Sequence, residues 1–283
     1  MRHGFLLIDK PIGITSHTAV AMVRTRLSEQ HIGHLGTLDP AASGLLVLAV
    51  GTKALKVVEM FEGLSKEYRA DIAFGSVSST YDSEGVIEEV TMKPGCDIPT
   101  DSQIRKLLDE RFTGKIAQVP PVYSAVHVNG QRAYDLARQG KHVELQARTV
   151  QIEHSAIVDY AYPHLVLDVR CGSGTYIRSL AHDLGQALRC GGYLSGLRRT
   201  TVGKWLVSDA ASPDDATWTD IISLKDILAD FPRVDMSDAE AEDIRHGRTI
   251  AKEIMSQAFA WHNELPVALL IPADKGCRPR KVL

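Results

Sequence analysis

Apolar residues recur along this chain in two kinds of pattern. Unbroken or alternating runs read as strands, and runs spaced by three and four read as helices. Phe5–Asp9 reads as a short strand that Lys10-Pro11-Ile12-Gly13 breaks. Ser16 is a candidate cap for a helix whose apolar face is Ala19, Val20, Val23 and Leu27. His31–Gly44 has no period and is rich in Gly, His and Pro, so it reads as a loop. Leu45–Val50 is unbroken and apolar, which suits a buried strand. Thr52 is a second candidate cap, with Leu55, Val58 and Phe61 pointing inward. Tyr68, Ala70, Ile72 and Phe74 alternate with polar neighbours, as a half-buried strand does.

Thr100 and Gln103 make a capping box ahead of Leu107, Leu108 and Phe112. Pro120-Pro121 punctuates the chain, and Ala133–Arg138 reads as a helix stopping at Gly140. Leu165, Leu167, Val169 and Cys171 alternate as a strand, and Thr175–Leu188 returns to helical spacing after Gly172-Ser173-Gly174. A small terminal unit starts near Phe231, with a helix over Ser237–His246 before Gly247. Strands and helices mix without a regular βαβ alternation. The expected class is α+β with a mixed sheet.

The chain has 283 residues, 44% hydrophobic and 24% charged, which suits one large domain or a main domain with a small companion. The net charge of −3 does not advertise a polyanion binder, but the charge is segregated. Residues 209–243 hold eleven acids against Lys225 and Arg233. Residues 184–208 hold Arg189, Arg198, Arg199 and Lys204 with no acid. Residues 124–148 carry Arg132, Arg138, Lys141 and Arg148 against Asp135 and Glu144. Local basic patches can hold a polyanion whatever the total, although such runs alone are more often solvated faces. Four scattered cysteines without a CxxC pair argue against a zinc ribbon or a disulfide framework and suit a reducing cytoplasm. The first apolar run is too short for a signal-peptide core, and no run reaches membrane-spanning length.

Several standard sites are missing from the sequence. There is no phosphate loop and no HExxH, and Gly172-x-Gly174-x-x-Ile177 lacks the third glycine of a dinucleotide fingerprint. His31 and His34 have no third ligand beside them, so no metal site is expected. The dense segment is Gly33-His34-Leu35-Gly36-Thr37-Leu38-Asp39-Pro40-Ala41-Ala42-Ser43-Gly44. Asp39 suits either a turn residue or a carboxylate facing a cleft. The apolar run directly after it favours the cleft, because it anchors the loop to the core.

That segment resembles the catalytic motif of the TruB-type pseudouridine synthases, which modify the T-loop of tRNA. The resemblance extends to Asp9–Ser16 (DKPIGITS), Lys66–Ala70 (KEYRA) and Val119–Gly140 (VPPVYSAVHVNGQRAYDLARQG). It continues through Gly172–Gly185 (GSGTYIRSLAHDLG) and Leu197–Gly203 (LRRTTVG). The motifs fall in the family's order over roughly residues 5–205. Leu35 stands where a smaller or polar residue is common, Ser43 replaces the usual Thr, and the match is loose after Asp209.

The resemblance implies an α+β pseudouridine-synthase fold, a central mixed, largely antiparallel sheet flanked by helices, with a catalytic domain over 1–230. A thumb-like RNA-binding insertion lies near 120–148, and a PUA-like, RNA-binding domain follows over 231–283. It implies Asp39 as nucleophile, paired with and aimed by Arg178. Tyr68 would stack on the target uracil and move a proton. Tyr176 and Leu197 would line the base pocket, and His34 would take the place of the flipped-out nucleotide. Lys10 would support the loop. Arg132, Arg138, Lys141, Arg148, Arg198, Arg199 and Lys204 would contact phosphates. The expected partner is the tRNA T-arm, met by a cytoplasmic monomer without cofactor, metal or obligate protein partner.

Three other readings compete. One is an RNA-binding or RNA-folding protein without chemistry, which the joint presence of Asp39, Tyr68 and Arg178 disfavours. Another is a guide-directed synthase within a ribonucleoprotein, and the long segment Val119–Arg148 favours the stand-alone enzyme instead. A glycosidase would need a second essential carboxylate near Asp39.

Overall fold

Strands buried on both faces read as unbroken apolar runs, and the sheet is built around two of them. The computed structural model describes residues 3–91, 97–124, 126–128, 131–138 and 145–283. In chain order, β1 (Gly4–Lys10), α1 (Ser16–Leu27), β2 (Ile32–Leu35), β3 (Ala42–Val50), α2 (Thr52–Val57) and β4 (Lys66–Phe74) come first. The hairpin β5 (Ser76–Ser78) and β6 (Ile87–Glu89) follows, then α3 (Asp101–Arg111) and β7 (Gly114–Gln118). A second small hairpin, β8 (His127–Val128) and β9 (Gln131–Arg132), leads into α4 (Ala133–Arg138). Then come β10 (Arg148–Ala161), β11 (His164–Cys171), α5 (Ile177–Ala187), β12 (Gly192–Val202) and β13 (Trp205–Leu206). The chain closes with β14 (Ile222–Ser223), α6 (Leu224–Ile227), β15 (Arg233–Asp235), α7 (Asp238–Arg245), β16 (Ala258–His262), β17 (Leu265–Ala273) and β18 (Gly276–Val282).

Ten strands form the main sheet in the order β14-β1-β3-β12-β4-β11-β10-β7, with β2 on β3 and β13 on β12. Its described pairs are antiparallel except β3 with β12, which run parallel through Ala42↔Leu197, Ser43↔Arg198 and Gly44↔Arg199. The backbones approach closely there. A Cβ on Gly44 would lie 2.2 Å from the Arg199 carbonyl oxygen, and φ is +104°. Only glycine meets both demands. β12 also pairs with β4, setting Leu197 opposite Ala70 and Arg199 opposite Tyr68. The middle of the sheet thus brings the end of the dense loop, Tyr68 and the Leu197-Arg198-Arg199 run together.

Three apolar clusters cover the main sheet. Leu6, Ile8, Leu46 and Leu48 pack against Ala19, Val20, Val23 and Leu27 of α1. Phe5, Leu7, Leu45 and Val47 on the opposite face meet Phe61, Trp205, Phe259 and Trp261. Tyr68, Ala70 and Ile72 pack with Leu165, Leu167, Val169, Ile104 and Leu180. The terminal sheet, β15-β16-β17-β18, joins the second cluster through Phe259, Trp261 and Leu269. Among the described residues no helix is long and apolar enough to cross a membrane.

Three local expectations change. His31–Gly44 is not wholly loop. Ile32–Leu35 pairs with Val50–Val47 of β3, and the sheet edge supplies the order that its sequence period lacks. Thr15, not Ser16, caps α1, accepting from the Thr18 N–H. Gly51 precedes α2, so Thr52 caps nothing, and Ala54 and Val57 face inward while Leu55 is exposed. The capping box of Thr100 and Gln103 is formed, as is that of Ser237 and Glu240 on α7.

Ser16 instead ties α1 to the dense loop. Its buried hydroxyl donates to the Leu38 carbonyl (2.9 Å) and accepts from the Leu38 N–H (2.8 Å). Ser16→Ala removes both bonds and leaves two buried backbone groups unpaired, which costs about 1–3 kcal/mol. Urea unfolding measures this; a loss below about 0.5 kcal/mol would contradict the role of the tie.

Candidate functional site

Asp39 projects from the turn between β2 and β3, and its path is fixed from several sides. The Ala42 N–H donates to its carbonyl (3.1 Å), and the Gly13 N–H donates to the carbonyl of Pro40 (2.9 Å). Lys10 is fully buried and donates to the Pro11 and Ile14 carbonyls, both at 2.9 Å. It shapes the neighbouring turn from within. Burial pulls the Lys10 ammonium below the ordinary lysine value, and the nearby Asp39 partly offsets this.

Arg199 lies beneath the loop, 1% exposed. Its guanidinium donates to the carbonyls of Leu45 (2.7 Å), Gly36 (3.0 Å) and Thr37 (3.4 Å). Arg199 is therefore not a surface contact for RNA, which corrects the expectation from sequence. The inward face of β12 is where an alternating strand must place every second residue.

Arg178, on the first turn of α5, carries the central contact. One of its terminal nitrogens lies 3.1 Å from the Asp39 carboxylate and also donates to the Tyr123 carbonyl (3.0 Å). The other lies 3.2 Å from the Asp82 carboxylate. The side chains of Arg178 and Asp82 are 9% and 5% exposed, whereas that of Asp39 is 43% exposed. The buried cation has a buried partner in Asp82, so Asp39 is aimed by the arginine while staying open to the cleft. Asp82 is itself held by the Thr80 hydroxyl and the Glu84 N–H. Tyr81, just before it, adopts φ +66° and stacks on His182 with centroids 3.9 Å apart.

Gln118 fixes the start of α5, accepting from the Tyr176 N–H (2.8 Å) and donating to the Tyr176 carbonyl (3.0 Å). Ser179 donates to the Val119 carbonyl (2.7 Å). Asp82 and Gln118 went unremarked in the sequence, and Ser16 was read only as a helix cap. An acid after tyrosine and a glutamine at a strand end carry little signal until the fold brings them to Arg178 and Tyr176.

A cleft of about 940 Å³ opens over these groups. His34, Asp39, Tyr68, Tyr176, Arg178 and Leu197 all line it, so the structure brings together the six. Tyr68 is 9% exposed. Burial raises its phenol above the ordinary value, with Arg199 opposing, so it remains a hydrogen-bond donor at neutral pH. Burial and the neighbouring His17 lower the His34 pKa. His34 therefore presents a neutral ring, edge-on to His17 at 5.6 Å. Among the described residues no group of three or more His, Cys, Asp or Glu could hold a metal ion.

The remaining cations are spread out. Arg198 forms a two-pronged pair with Asp9 (2.6 and 3.0 Å) and stays 42% exposed. Lys204 pairs with Asp230. Arg148 is exposed at the start of β10. Arg132 ends β9 and Arg138 ends α4, while Lys141 lies outside the described residues.

Known proteins match this chain over nearly its whole length. Residues 24–177 match the TruB family pseudouridylate synthase (N terminal domain), and residues 178–230 match the tRNA pseudouridylate synthase B C-terminal domain. A tRNA pseudouridine synthase B of Dehalococcoides mccartyi is 38% identical, covering 99% of this chain and 96% of the relative. One from Mycobacterium bovis is 37% identical, covering 99% and 94%. One from Rhodopseudomonas palustris is 40% identical, covering 88% and 70%. Among solved structures, a chain of a Cbf5-Nop10-Gar1 complex superposes with a TM-score of 0.71 at 24% identity, covering 100% of this chain and 84% of that one. A chain of an H/ACA RNP bound to a substrate RNA containing 2′-deoxyuridine gives 0.70 at 23%, covering 99% and 84%. These two share the fold.

The adjacent arginines of β12 make a sharp contrast. Arg199→Met leaves three backbone carbonyls without their donor and costs about 2–5 kcal/mol. Arg198→Met breaks a half-exposed pair and costs at most about 1 kcal/mol. Equal shifts of the two urea midpoints would contradict the assignment of Arg199 to the interior.

Proposed function

The chain belongs to the TruB family of pseudouridylate synthases, and on that premise we propose that it converts a uridine in the T-loop of tRNA, conventionally numbered 55, to pseudouridine. The observation that supports this reading best is the Asp39–Arg178 pair, with Asp39 open to the cleft. The names of the relatives that match over nearly the whole chain support tRNA as the substrate.

The reaction breaks the N1–C1′ bond and rejoins the same uracil through C5. C5 loses a proton and N1 gains one, so atoms and electrons balance within the nucleotide and water. No redox cofactor, ATP or metal is called for. Asp39 acts as the nucleophile. One essential carboxylate suffices, because the uracil stays in the cleft and is recaptured. Arg178 orients that carboxylate, and Asp82 orients Arg178. Tyr68, Tyr176 and Leu197 hold the base; Tyr68 stacks on it and offers a proton rather than taking one. The nucleotide must leave its stack to reach Asp39, at a cost of a few kcal/mol, and the neutral His34 ring fills the vacated place. Lys10 and Arg199 support the loop from within.

The RNA arm lies against the segment 120–148 and the exposed rim. Arg132, Arg138, Lys141, Arg148, Arg198 and Lys204 meet phosphates there, which position RNA without reading sequence. Arg198 and Lys204 exchange Asp9 and Asp230 for phosphate as the RNA docks. Residues 1–230 form the catalytic domain and 231–283 a terminal RNA-binding domain of PUA-like type. The enzyme acts as a cytoplasmic monomer.

A T-arm stem-loop tritiated at C5 of the target uridine tests the chemistry. The wild type releases tritium to water, and Asp39→Asn releases none while binding the RNA. Turnover by Asp39→Asn would remove Asp39 from the nucleophile's role.

A further inference from the structure

Resting on the reading above, we propose that Ser124 hydrogen-bonds the ribose 2′-hydroxyl of the target nucleotide. It thereby anchors the sugar while the uracil detaches and turns.

Buried polar atoms are nearly always bonded. Ser124 is 5% exposed, yet its hydroxyl has no hydrogen-bond partner among the described residues. Its backbone is engaged: its N–H donates to the Val122 carbonyl (3.0 Å), and its carbonyl accepts from the Tyr134 N–H (3.1 Å). The hydroxyl alone is left, in a residue that lines the cleft with Asp39 and Arg178. Its position is also fixed. The carbonyl of Tyr123 accepts from Arg178, and that of Val119 from Ser179. The segment is stitched to the helix that aims Asp39, so Ser124 and the nucleophile keep one spacing.

The surroundings select the ligand. Asp39, Asp82 and Glu84 line the same cleft as Ser124. Asp82 shares the Arg178 guanidinium with the Tyr123 carbonyl. The cations that line the cleft among the described residues are already engaged, Arg178 by Asp39 and Asp82 and Arg199 and Lys66 by backbone carbonyls, which disfavours a phosphate at this spot. The uracil lies among Tyr68, Tyr176 and Leu197 and must turn before C5 can bond C1′. A bond from Ser124 to the base would have to break at the decisive step. The sugar does not turn. Its 2′-hydroxyl is neutral and both donates and accepts, which matches a serine hydroxyl.

The test is a cycle of two single changes. Wild type and Ser124→Ala are each given the tritiated T-arm stem-loop, with either ribose or 2′-deoxyribose at the target nucleotide. Single-turnover tritium release is measured. Either change alone slows release about 3–10-fold, the value of one neutral hydrogen bond. Together they slow it no more than one alone, because both remove the same contact. Multiplied losses, or no loss from Ser124→Ala on the ribose substrate, would overturn the proposal. A merely structural role for Ser124 also gives multiplied losses. Should Ser124→Ala fail to fold, Ser124→Cys keeps the size, lacks the strong bond and enters the same cycle. No release by wild type from the ribose substrate would defeat the functional reading itself. Multiplied losses with an active wild type defeat the Ser124 contact alone.

Discussion

One guanidinium serves two carboxylates at the centre of this protein. A buried arginine without an anion would cost several kcal/mol, and Asp82 provides that anion from inside. The opposite side of the same group faces Asp39, whose carboxylate remains accessible. The division of labour is physical. The buried acid holds the cation in place, and the cation holds the acid that stays open to the cleft. Every element near the site is arranged to fix that triad. Gln118 clamps the start of α5, Ser179 ties α5 to the Val119 carbonyl, and the stacked Tyr81 and His182 rings support the turn that presents Asp82.

The sheet supplies the second half of the arrangement. The parallel contact between β3 and β12 lets one backbone approach the other at Gly44. Arg199 thereby reaches under the loop and bonds its Gly36 and Thr37 carbonyls together with the Leu45 carbonyl of β3. Lys10 does the same for the turn beside it. Two cations in a family that binds a polyanion are thus directed inward, where they fix backbone. Arg148 stays exposed at the start of β10, and Arg198 stays half-exposed in its pair with Asp9.

Much of this was legible in the sequence, and the misses share a cause. Alternation placed Tyr68, Ala70, Ile72 and Phe74 correctly, the capping box of Thr100 marked one helix start, and the helix expected from Ser237 is there. The family motifs picked out the cleft-lining set from His34 to Leu197. Local pattern could not say that Ile32–Leu35 would find β3, because strand pairing is a long-range property. Nor could it separate Arg198 from Arg199, since which of two neighbours faces inward depends on register. Ser16 looked like a cap because a hydroxyl before a helix usually is one. Its real partner is Leu38, distant in sequence and unreadable without the fold. Asp82 was hidden for the same reason: its partner Arg178 lies 96 positions away in the sequence.

The most direct measurement reads the modified position in cells. Total tRNA from a strain lacking this gene is treated with a carbodiimide that marks pseudouridine and copied by reverse transcriptase. The strain carries either the wild-type gene or the Asp39→Asn form. The account predicts a stop at the T-loop position conventionally numbered 55 with the wild-type gene and none with Asp39→Asn. A stop restored by Asp39→Asn, or no stop restored by the wild type, would contradict it.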